Sequence, residues 1–375
     1  MNTFFLVMSI FASLVWFIVL VLPWRPWLNG ETLEPMRDAG YDISELTVLI
    51  PARNEAEVII ATLQGLAGQG GGRLKVVLVD DGSDDDTASL AKQVEGVDLT
   101  IINSQTLPDG WSGKLWALEQ GIRQVKTTWT LLLDADIFLA PGMVAALIGK
   151  AKSDNRQFVS IMASLRMVSF WESLLMPAFI YFFKLLYPFR LANSDFPYVA
   201  AAAGGCILLE TRLIAQIGGF SAIRGEIIDD CNLAKQVKQR GNRIWIGQSH
   251  SAVSLRKYEG LKPIWDMVAR CAFAQLHYSI HWLALCTGLL SALFLAPLAG
   301  IVCGEGAARA WSLLAYAAMM ACFLPTLIYY RRNAAWALLL PIIATLYLAM
   351  TGDSAISYWR GVRSQWKNRI YSVKD

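Results

Sequence analysis

Four uncharged apolar segments constrain the fold of this chain more than any other feature of its sequence. The first is Phe4–Leu22, and the others lie towards the C-terminal end at Trp282–Cys303, Trp311–Tyr330 and Ala334–Met350. A helix needs about 20 apolar residues to cross the hydrocarbon core of a bilayer. Charged residues form only 17% of the chain, whereas an ordinary soluble domain has roughly 25%. We therefore expect a membrane protein with one N-terminal and two to three C-terminal transmembrane helices.

The first apolar segment is expected to be an uncleaved membrane anchor within residues 1–28. A cleaved signal peptide begins with basic residues and ends at a small-residue cleavage site. This chain instead begins with Met1-Asn2-Thr3 and continues after the segment with Pro23-Trp24-Arg25. Trp24 suits the membrane interface, and Arg25 favours a cytoplasmic position for the residues that follow.

The C-terminal segments, within residues 277–351, create a conflict in the predicted topology. Arg25, Arg331 and Arg332 all suit the cytoplasmic side, but four full crossings would put the basic tail, residues 352–375, on the other side. Either the short last segment is re-entrant or the positive-inside tendency fails here. We favour a cytoplasmic tail that lies on the membrane.

A fifth apolar stretch, Val168–Leu191, differs from the others because it contains Glu172, Lys184 and Arg190. Each charge at mid-membrane costs roughly 3 kcal/mol on insertion scales. An interfacial helix in which Lys184 and Arg190 extend towards the headgroups is therefore expected. A buried helix of the soluble domain is the alternative.

Residues 41–276 alternate between short apolar runs and amphipathic segments, which predicts an α/β domain. The predicted strands are Leu46–Ile50, Lys75–Val79, Leu99–Ile102, Thr128–Leu133 and Phe158–Ala163. The predicted helices are Glu57–Leu66, Asp84–Val94, Lys114–Val125 and Pro141–Ala151. This alternation is typical of a mainly parallel sheet flanked by helices. Ligands bind such sheets at the carboxyl ends of the strands, where the polar clusters of this sequence fall.

Carboxylates follow the first two predicted strands. Glu55 lies shortly after the first, and Asp80 and Asp81 end the second. Carboxylates in this position can accept hydrogen bonds from a nucleobase or from ribose hydroxyls, and Gly82 lets the backbone turn closely around a ligand. The alternative is a solvated turn in which Asp84 caps the next helix. That alternative explains Asp84 better than it explains the two aspartates that end an apolar strand.

Two further carboxylates, Asp134 and Asp136, follow the fourth predicted strand. Mg²⁺ and Mn²⁺ prefer oxygen ligands and commonly bind through one or two carboxylates together with substrate phosphates. The pair therefore predicts a divalent metal site, although a lone Asp-x-Asp pattern is a weak signal.

A last carboxylate pair, Asp229 and Asp230, precedes a predicted helix that continues from Cys231. It is a candidate functional site, and capping of the helix is the alternative. Upstream, Ala200–Gly205 is small and flexible enough for close backbone approach to a substrate.

Composition excludes several other classes of protein. The net charge of +3 is too small to indicate nucleic-acid binding. The six cysteines form no CxxC or CxxH pair, so neither a zinc site nor a disulfide framework is expected. Reduced, mostly buried thiols fit a domain that faces the cytoplasm.

Taken in order, these motifs resemble those of the family 2 glycosyltransferases, which have the GT-A fold. The matching segments are Pro51–Glu55, Asp80–Ser83 with Asp85 and Thr87, Gly113-Lys114 with Ala117-Leu118, Asp134–Asp136, and Asp229-Asp230 with Leu233-Ala234. Five motifs in the right order are far more specific than any one of them. Asp229 replaces the glutamate that is usual at the first place of the last motif.

The layout of anchor, catalytic domain and C-terminal helices is similar to that of the hopene-associated bacterial glycosyltransferases and, more distantly, the ceramide glucosyltransferases. The QxxRW motif of processive synthases is missing, and Val268–Arg270 after Trp265 is its nearest equivalent. This difference favours transfer of a single sugar. The resemblance implies a multi-pass protein of a bacterial inner (cytoplasmic) membrane, with the catalytic domain facing the cytoplasm.

The resemblance also implies the ligands and the roles of particular residues. The donor would be a nucleotide-sugar, most simply a UDP-sugar, and the acceptor a membrane lipid such as a hopanoid. Asp134 and Asp136 would hold Mg²⁺ or Mn²⁺, and Asp230, beside Asp229, would be the general base of an inverting transfer. The residues implied in donor binding are Pro51, Glu55, Asp80, Asp81, Lys114, Asp134 and Arg270, with Arg256 as an alternative contact to the diphosphate.

Other functions remain open at this point. The same chemistry could serve a polyprenyl-phosphate acceptor. A degenerate relative could act as a non-catalytic, nucleotide-binding scaffold in a lipid-synthesis complex, although such a protein would be free to lose its carboxylates. A nucleotidyltransferase has a similar sheet but no evident need for Asp230 or for the membrane segments.

Overall fold

A computed structural model describes residues 2–35, 42–70, 73–366 and 369–372. It shows a sheet domain joined to a bundle of long apolar helices. The strands are β1 Leu46–Ala52, β2 Lys75–Asp80, β3 Asp98–Asn103, β4 Trp129–Leu133, β5 Ile137–Leu139, β6 Phe158–Ser164, β7 Cys206–Glu210, β8 Ile244–Ser254, β9 Val362–Trp366 and β10 Arg369–Ser372.

The helices divide between the two parts of the molecule. Those of the sheet domain are α2 Ile59–Ala67, α3 Thr87–Ala91, α4 Gly113–Gly121, α5 Met143–Ser153, α6 Phe170–Leu186, α7 Phe189–Ala192, α8 Arg212–Ile217 and α9 Asp229–Gln239. Those of the bundle and its border are α1 Asn2–Val21, α10 Leu261–Gln275, α11 Ile280–Leu290, α12 Ala296–Cys303, α13 Ala307–Tyr329 and α14 Leu340–Trp359.

Within the described residues the main sheet has eight strands in the order β3-β2-β1-β4-β7-β6-β8-β5. Strands β3, β2, β1 and β4 run parallel, and so do β6 and β8. Strand β7 is antiparallel to both of its neighbours, and β5 is antiparallel to β8. The sheet is therefore mainly parallel, as predicted, and the carboxyl ends of β1, β2 and β4 meet at one edge.

All five predicted strands are confirmed, because β1, β2, β3, β4 and β6 overlap them closely. The sequence analysis did not predict β5, β7 or β8. One predicted cap is wrong: α3 begins at Thr87, and its N-terminal neighbour is Asp86 rather than Asp84. The Asp85 carboxylate instead accepts the backbone N–H of Ala56, which ties this turn to the end of β1.

Among the described residues, four helical segments are long and apolar enough to cross a membrane: Asn2–Val21, Ile280–Cys303, Ala307–Tyr329 and Ala334–Trp359. Helices α1 and α13 run side by side in the same direction. Ser9 and Ser312 share a hydrogen bond of 2.6 Å, and a Cβ atom at Gly300 of α12 would lie only 2.1 Å from the Ser312 hydroxyl. Small residues of this kind let membrane helices approach closely.

Helix α6 is buried between the sheet domain and the bundle. Its Lys184 is only 1% exposed and its ammonium contacts Asn29 and Thr326, so the expected extension of this side chain towards the headgroups is wrong. Glu172 at the start of α6 is also buried, where it pairs with Arg166 at 2.9 Å. The buried-helix alternative describes α6 better, because neighbouring segments supply partners for the charged groups of Lys184 and Glu172.

Helix α14 continues to Trp359, beyond the apolar run that suggested it. It packs along the sheet-domain side of the bundle rather than leading away from it. Tyr347 in its middle donates a hydrogen bond of 2.9 Å to the Leu175 carbonyl of α6. Trp265 of α10 donates one of 2.8 Å to Asp353 near its end.

The chain beyond α14 also contacts the sheet domain, because Arg363 donates a hydrogen bond of 2.5 Å to the Gly225 carbonyl. The described start of the tail therefore lies on the same side as the sheet domain, as a tail on the catalytic side of the membrane requires. Lys367 and Lys374, which belong to the predicted basic tail, lie outside the described residues, as does the expected start of the domain at Tyr41.

Candidate active site

The carboxyl ends of β1 and β2 form one end of the site. The Asp80 carboxylate accepts the backbone N–H of Ser83 at 3.1 Å and its hydroxyl at 2.5 Å. Asp81 is 2% exposed, and its backbone N–H donates to the Ala52 carbonyl at 2.8 Å. Gly82 adopts a positive φ of 68°, which glycine tolerates without steric cost. Asp80 and Asp81 are thus buried at the strand end, whereas the following Gly82 and Asp84 are exposed to solvent.

Arg256 connects Glu55 with Asp136 beside this turn. Its Nη2 lies 2.9 Å from Glu55 Oε1 and its Nε lies 2.8 Å from Asp136 Oδ2. Burial disfavours the charged guanidinium, but the carboxylates of Asp136 and Glu55 outweigh it and raise the pKa of Arg256. Two sequence-distant carboxylates are therefore held together by one arginine, whose planar fork suits a carboxylate or a diphosphate oxygen equally.

Lys114, at the start of α4, occupies the other end of the site. Its Nζ lies 2.8 Å from Asp134 Oδ1 and 3.9 Å from Asp229 Oδ2. Burial disfavours the ammonium, yet the negative charges of Asp134, Asp229 and Asp230 raise the pKa of Lys114. For Asp134, burial is the largest influence and raises the pKa, with Lys114 opposing it.

Asp230 is held by backbone amides at the start of α9. Its Oδ2 accepts the Gly204 N–H at 2.8 Å and its Oδ1 accepts the Cys231 N–H at 2.7 Å. Burial, followed by the charge of Asp229, raises the pKa of Asp230 to about 6. The residue before α9 is Ile228, so neither aspartate is the N-cap that the alternative required. The carboxylate is therefore oriented both by the segment before β7, through Gly204, and by its own helix, through Cys231.

Gly204 is placed so that no larger residue fits without movement. A Cβ atom there would lie 3.2 Å from Asp230 Oδ2 and 3.3 Å from Lys114 Nζ. This position explains why a small, flexible segment precedes β7.

Side chains at the membrane border face Asp230. Tyr187, which follows α6, donates a hydrogen bond of 2.8 Å to Gln275 of α10. Burial raises the pKa of this phenol, and Asp230 is among the charges that raise it further. Burial raises the pKa of the Cys271 thiol. The positive charge of Arg270 lowers it, and the negative charge of Asp230 raises it further. Asp230 therefore lies close enough to Tyr187 and Cys271 for its charge to act on both side chains.

A solvent-open cleft of about 330 Å³ lies between Lys114, Asp134 and Asp230. Five of the sequence-predicted residues line it, together with Gly204: Pro51, Lys114, Asp134, Asp229 and Asp230. Glu55 and Asp136 lie beside it through Arg256, and Asp80 and Asp81 end the neighbouring strand. Arg270 is exposed on α10 and has no ion pair among those found in the described chain. The structure thus favours Arg256 over Arg270 as the arginine of this site.

Arg256 follows β8, a strand that was not predicted. No sequence pattern therefore indicated that Arg256 lies at the sheet edge. Gly204 had a partial signal in the small-residue segment. Tyr187 had none, because its relation to Asp230 depends on how α6 packs.

The donor set fits a divalent cation only when substrate phosphates complete it. Within the described residues no group of three or more His, Cys, Asp or Glu side chains could hold a metal ion alone. Asp134 and Asp136 are hard oxygen ligands at one strand end, each engaged by a cation through one oxygen. Mg²⁺ and Mn²⁺ sites built from one or two carboxylates and a diphosphate have this composition.

Comparison with known proteins finds a family match and relatives for part of the chain. Residues 47–218 match the model of glycosyl transferase family 2. A 4,4'-diaponeurosporenoate glycosyltransferase of Staphylococcus aureus is 35% identical over 128 residues, which are 34% of this chain and 32% of the relative. A poly-beta-1,6-N-acetyl-D-glucosamine synthase of the same species is 28% identical over 155 residues, 41% of this chain and 37% of the relative. The matched region thus spans about a third of each curated relative.

The fold has a counterpart among solved structures. A mannosyltransferase from Pyrobaculum calidifontis, in complex with GDP-Man and Mn²⁺, superposes with a TM-score of 0.61 at 20% identity, covering 94% of this chain and 99% of the other. At this identity the likeness shows the fold alone, including the helices beyond the sheet domain. Residues 47–218 therefore form a glycosyl transferase family 2 domain, and the sheet domain has the GT-A fold.

Proposed function

We propose that this protein transfers a single sugar, with inversion, from a nucleotide-sugar to a hydroxyl of a membrane lipid such as a hopanoid. One observation carries the proposal. The cavity lined by Lys114 and Asp134 is also lined by Asp230, whose charge raises the pKa of Tyr187 and Cys271 at the border with the membrane helices. A donor and a lipid acceptor can therefore meet in one place.

The donor end is assigned to the strand-end carboxylates. Glu55, Asp80 and Asp81 are suited to hydrogen bonds with the nucleoside, for which we propose uridine. Lys114 and Arg256 are the buried cations nearest to the carboxylates and are suited to the diphosphate oxygens. Arg270 stays a candidate for the same group from the α10 side.

We propose that Asp134 and Asp136 hold Mg²⁺ or Mn²⁺ together with the donor diphosphate. The metal, when bound, neutralises charge that develops on the leaving nucleoside diphosphate. The mannosyltransferase of similar fold was solved with Mn²⁺, which supports this choice.

Asp230 is proposed as the general base. With a pKa of about 6 it is mostly ionised at neutral pH and yet basic enough to take a proton. The acceptor O–H loses its proton to Asp230 while its oxygen bonds to the anomeric carbon from the face opposite the leaving group. The bond between that carbon and the diphosphate oxygen breaks with its electron pair, and the nucleoside diphosphate leaves.

The membrane arrangement is proposed as follows: residues 1–28 anchor the chain, 41–276 form the catalytic domain, 277–351 form the C-terminal membrane region and 352–375 the basic tail. The catalytic domain faces the cytoplasm of a bacterium from its inner membrane. Four apolar helices and a tail that returns to the sheet domain support this layout.

The full chain, purified in nanodiscs, should be supplied with UDP-, GDP- and dTDP-sugars, with and without Mn²⁺, and with a hopanoid or a polyprenyl phosphate. We expect a metal-dependent glycolipid product from a UDP-sugar, and none from Asp230→Asn. Product only with polyprenyl phosphate would replace the acceptor. No hydrolysis or transfer with any donor, despite donor binding, would favour the scaffold.

A further inference from the structure

A second cavity lies away from the carboxylate site, where the chain leaves α1 and passes beneath α6. It is an open depression of about 250 Å³ that is continuous with solvent, and it is lined by Trp24, Arg25, Glu31, Lys184 and Arg190 among others. Three of these side chains are cationic and one is a carboxylate. The Glu31 carboxylate already accepts the indole N–H of Trp245 at 3.0 Å. The cavity is therefore positively charged on balance.

Lys184 is the most unusual member of this cavity because it is 1% exposed. An ammonium has three N–H donors, and the described residues offer it two neutral acceptors, Asn29 Oδ1 and Thr326 Oγ1. Among the described ion pairs none includes Lys184. Buried lysines are rarely found without a charged partner, and here burial lowers the pKa of Lys184 to about 7. An anion in the cavity would supply the missing charge.

The two arginines are held at the mouth of the same cavity. Arg25 has a positive φ of 38° and lies between two turns, because its N–H donates to Leu22 and its carbonyl accepts from Leu28. Backbone strain of this kind persists where neighbouring structure imposes it and often marks a binding site. The Arg190 guanidinium lies over Gly30, where a Cβ atom would be only 3.2 Å from Nη2.

The mouth of the cavity adjoins a lipid-facing surface. Phe17, Ile18 and Val21, in the last turns of α1, are 62%, 53% and 60% exposed, and Arg25 follows directly. A ligand with acyl chains could lie along this face while its headgroup enters the cavity. Basic pockets beside membrane helices suit phosphate-bearing headgroups.

We propose that this cavity binds the phosphate headgroup of an anionic membrane phospholipid, with the exposed Arg25 and Arg190 as its cationic contacts and the buried charge of Lys184 behind them. The bound headgroup joins α1 to α6 and α13 and so fastens the sheet domain to the bundle. The site is separate from the proposed transfer reaction.

The full chain in a neutral detergent should be titrated with phosphatidylglycerol while its Tm and, by native mass spectrometry, its retained lipid are measured. The variants are Arg25→Gln with Arg190→Gln, and separately Lys184→Gln. The matched control is Arg309→Gln with Arg331→Gln, which removes the same charge from exposed positions at the ends of α13. Phosphatidylcholine and inorganic phosphate are the ligand controls.

We expect phosphatidylglycerol to raise the Tm of the parent and of the control, and its apparent Kd to rise about tenfold or more in the Arg25/Arg190 variant. Equal affinity in that variant and in the control would overturn the site. Equal stabilisation by phosphatidylcholine would overturn its charge selectivity. An equal effect of inorganic phosphate at the same concentration would overturn the lipid source. Should Lys184→Gln fail to fold, the arginine variant still decides.

Discussion

The two ends of the carboxylate site balance their charges differently. At the end near β1 and β2, Glu55 and Asp136 share Arg256 at 2.9 and 2.8 Å. At the end near α9, Lys114 is within 2.8 Å of Asp134 and 3.9 Å of Asp229, and Asp230 adds a third negative charge. One cation faces two carboxylates at the first end and three at the second.

This difference explains how one sheet edge can both bind an anion and supply a base. The excess negative charge at the second end, together with burial, raises the pKa of Asp230 to about 6. At the first end, Asp136 and Glu55 stabilise the charged form of Arg256 and raise its pKa. Asp134 and Asp136, separated by a single residue, belong to different ends, so the Asp-x-Asp motif spans the boundary between them.

Removing the base should have the largest effect. Asp230→Asn keeps the shape of the side chain but cannot accept the acceptor proton, and we expect transfer to slow by about 10²–10⁴-fold. Donor affinity, measured by calorimetry with the nucleoside diphosphate, should stay near that of the parent because Asp230 is not among the proposed donor contacts. Asp229→Asn is the matched control and should be milder. Near-normal turnover by Asp230→Asn would remove it from the mechanism.

Removing the arginine should instead weaken donor binding. Arg256→Gln leaves Glu55 and Asp136 close together without their cation, and their repulsion should disfavour a diphosphate beside them. We expect the KM for the donor to rise by about tenfold or more, since charge-assisted contacts are roughly twice as strong as neutral ones. Arg270→Gln, on exposed α10, is the control. A larger loss in the control would return the diphosphate contact to Arg270.

A methyl group at Gly204 should disturb only the base end. In Gly204→Ala the new Cβ atom, 3.2 Å from Asp230 Oδ2 and 3.3 Å from Lys114 Nζ, must displace both side chains slightly. We expect kcat to fall about tenfold, since small displacements in an active site are costly. Donor affinity should fall less, because Lys114 is only one of several proposed donor contacts. Gly288→Ala, where a Cβ atom meets no neighbour within 4 Å, serves for comparison. A selective loss of donor binding would contradict the separation of the two ends.

Much of the sheet domain could be predicted from the sequence because its central strands are short apolar runs with carboxylates at their ends. Asp134 and Asp230 were found for that reason. Strand β7 was not, because it is antiparallel and interrupts the strand–helix alternation that served as the guide. Strand β8 carries polar residues such as Gln248 and Ser249, which are buried through contacts that no local pattern shows.

The partners of the charged residues were also beyond the sequence. Arg256 lies 201 positions from Glu55 and 120 from Asp136, so only the folded sheet brings them together. The side chain of Lys184 was expected to extend towards the lipid headgroups because it lies in an apolar segment. Hydropathy does not show that neighbouring segments bury it. Tertiary packing decided both outcomes.

The smallest expected effect concerns stability and pH. Asp230 has a pKa of about 6 in the folded protein and an ordinary value of 3.8, so the native state binds more protons than the unfolded state between these values. Stability therefore falls as pH rises through this window. Asp230→Asn removes the buried charge and should melt a few degrees above the parent at pH 7, by about 2–4 °C for each kcal/mol gained.

The gap should shrink as pH falls towards 4, because the parent then carries a neutral Asp230 as well. Transfer by the parent should show the opposite trend and fall below pH 6, where the base is protonated. In Asp229→Asn this acid limb should move to lower pH, since the charge of Asp229 raises the pKa of its neighbour. Asp98→Asn, at the exposed start of β3, controls for loss of a surface charge. If the difference in Tm between Asp230→Asn and the parent did not change with pH, the charge of Asp230 would not destabilise the folded protein. The contrast between the two ends would then have no electrostatic basis.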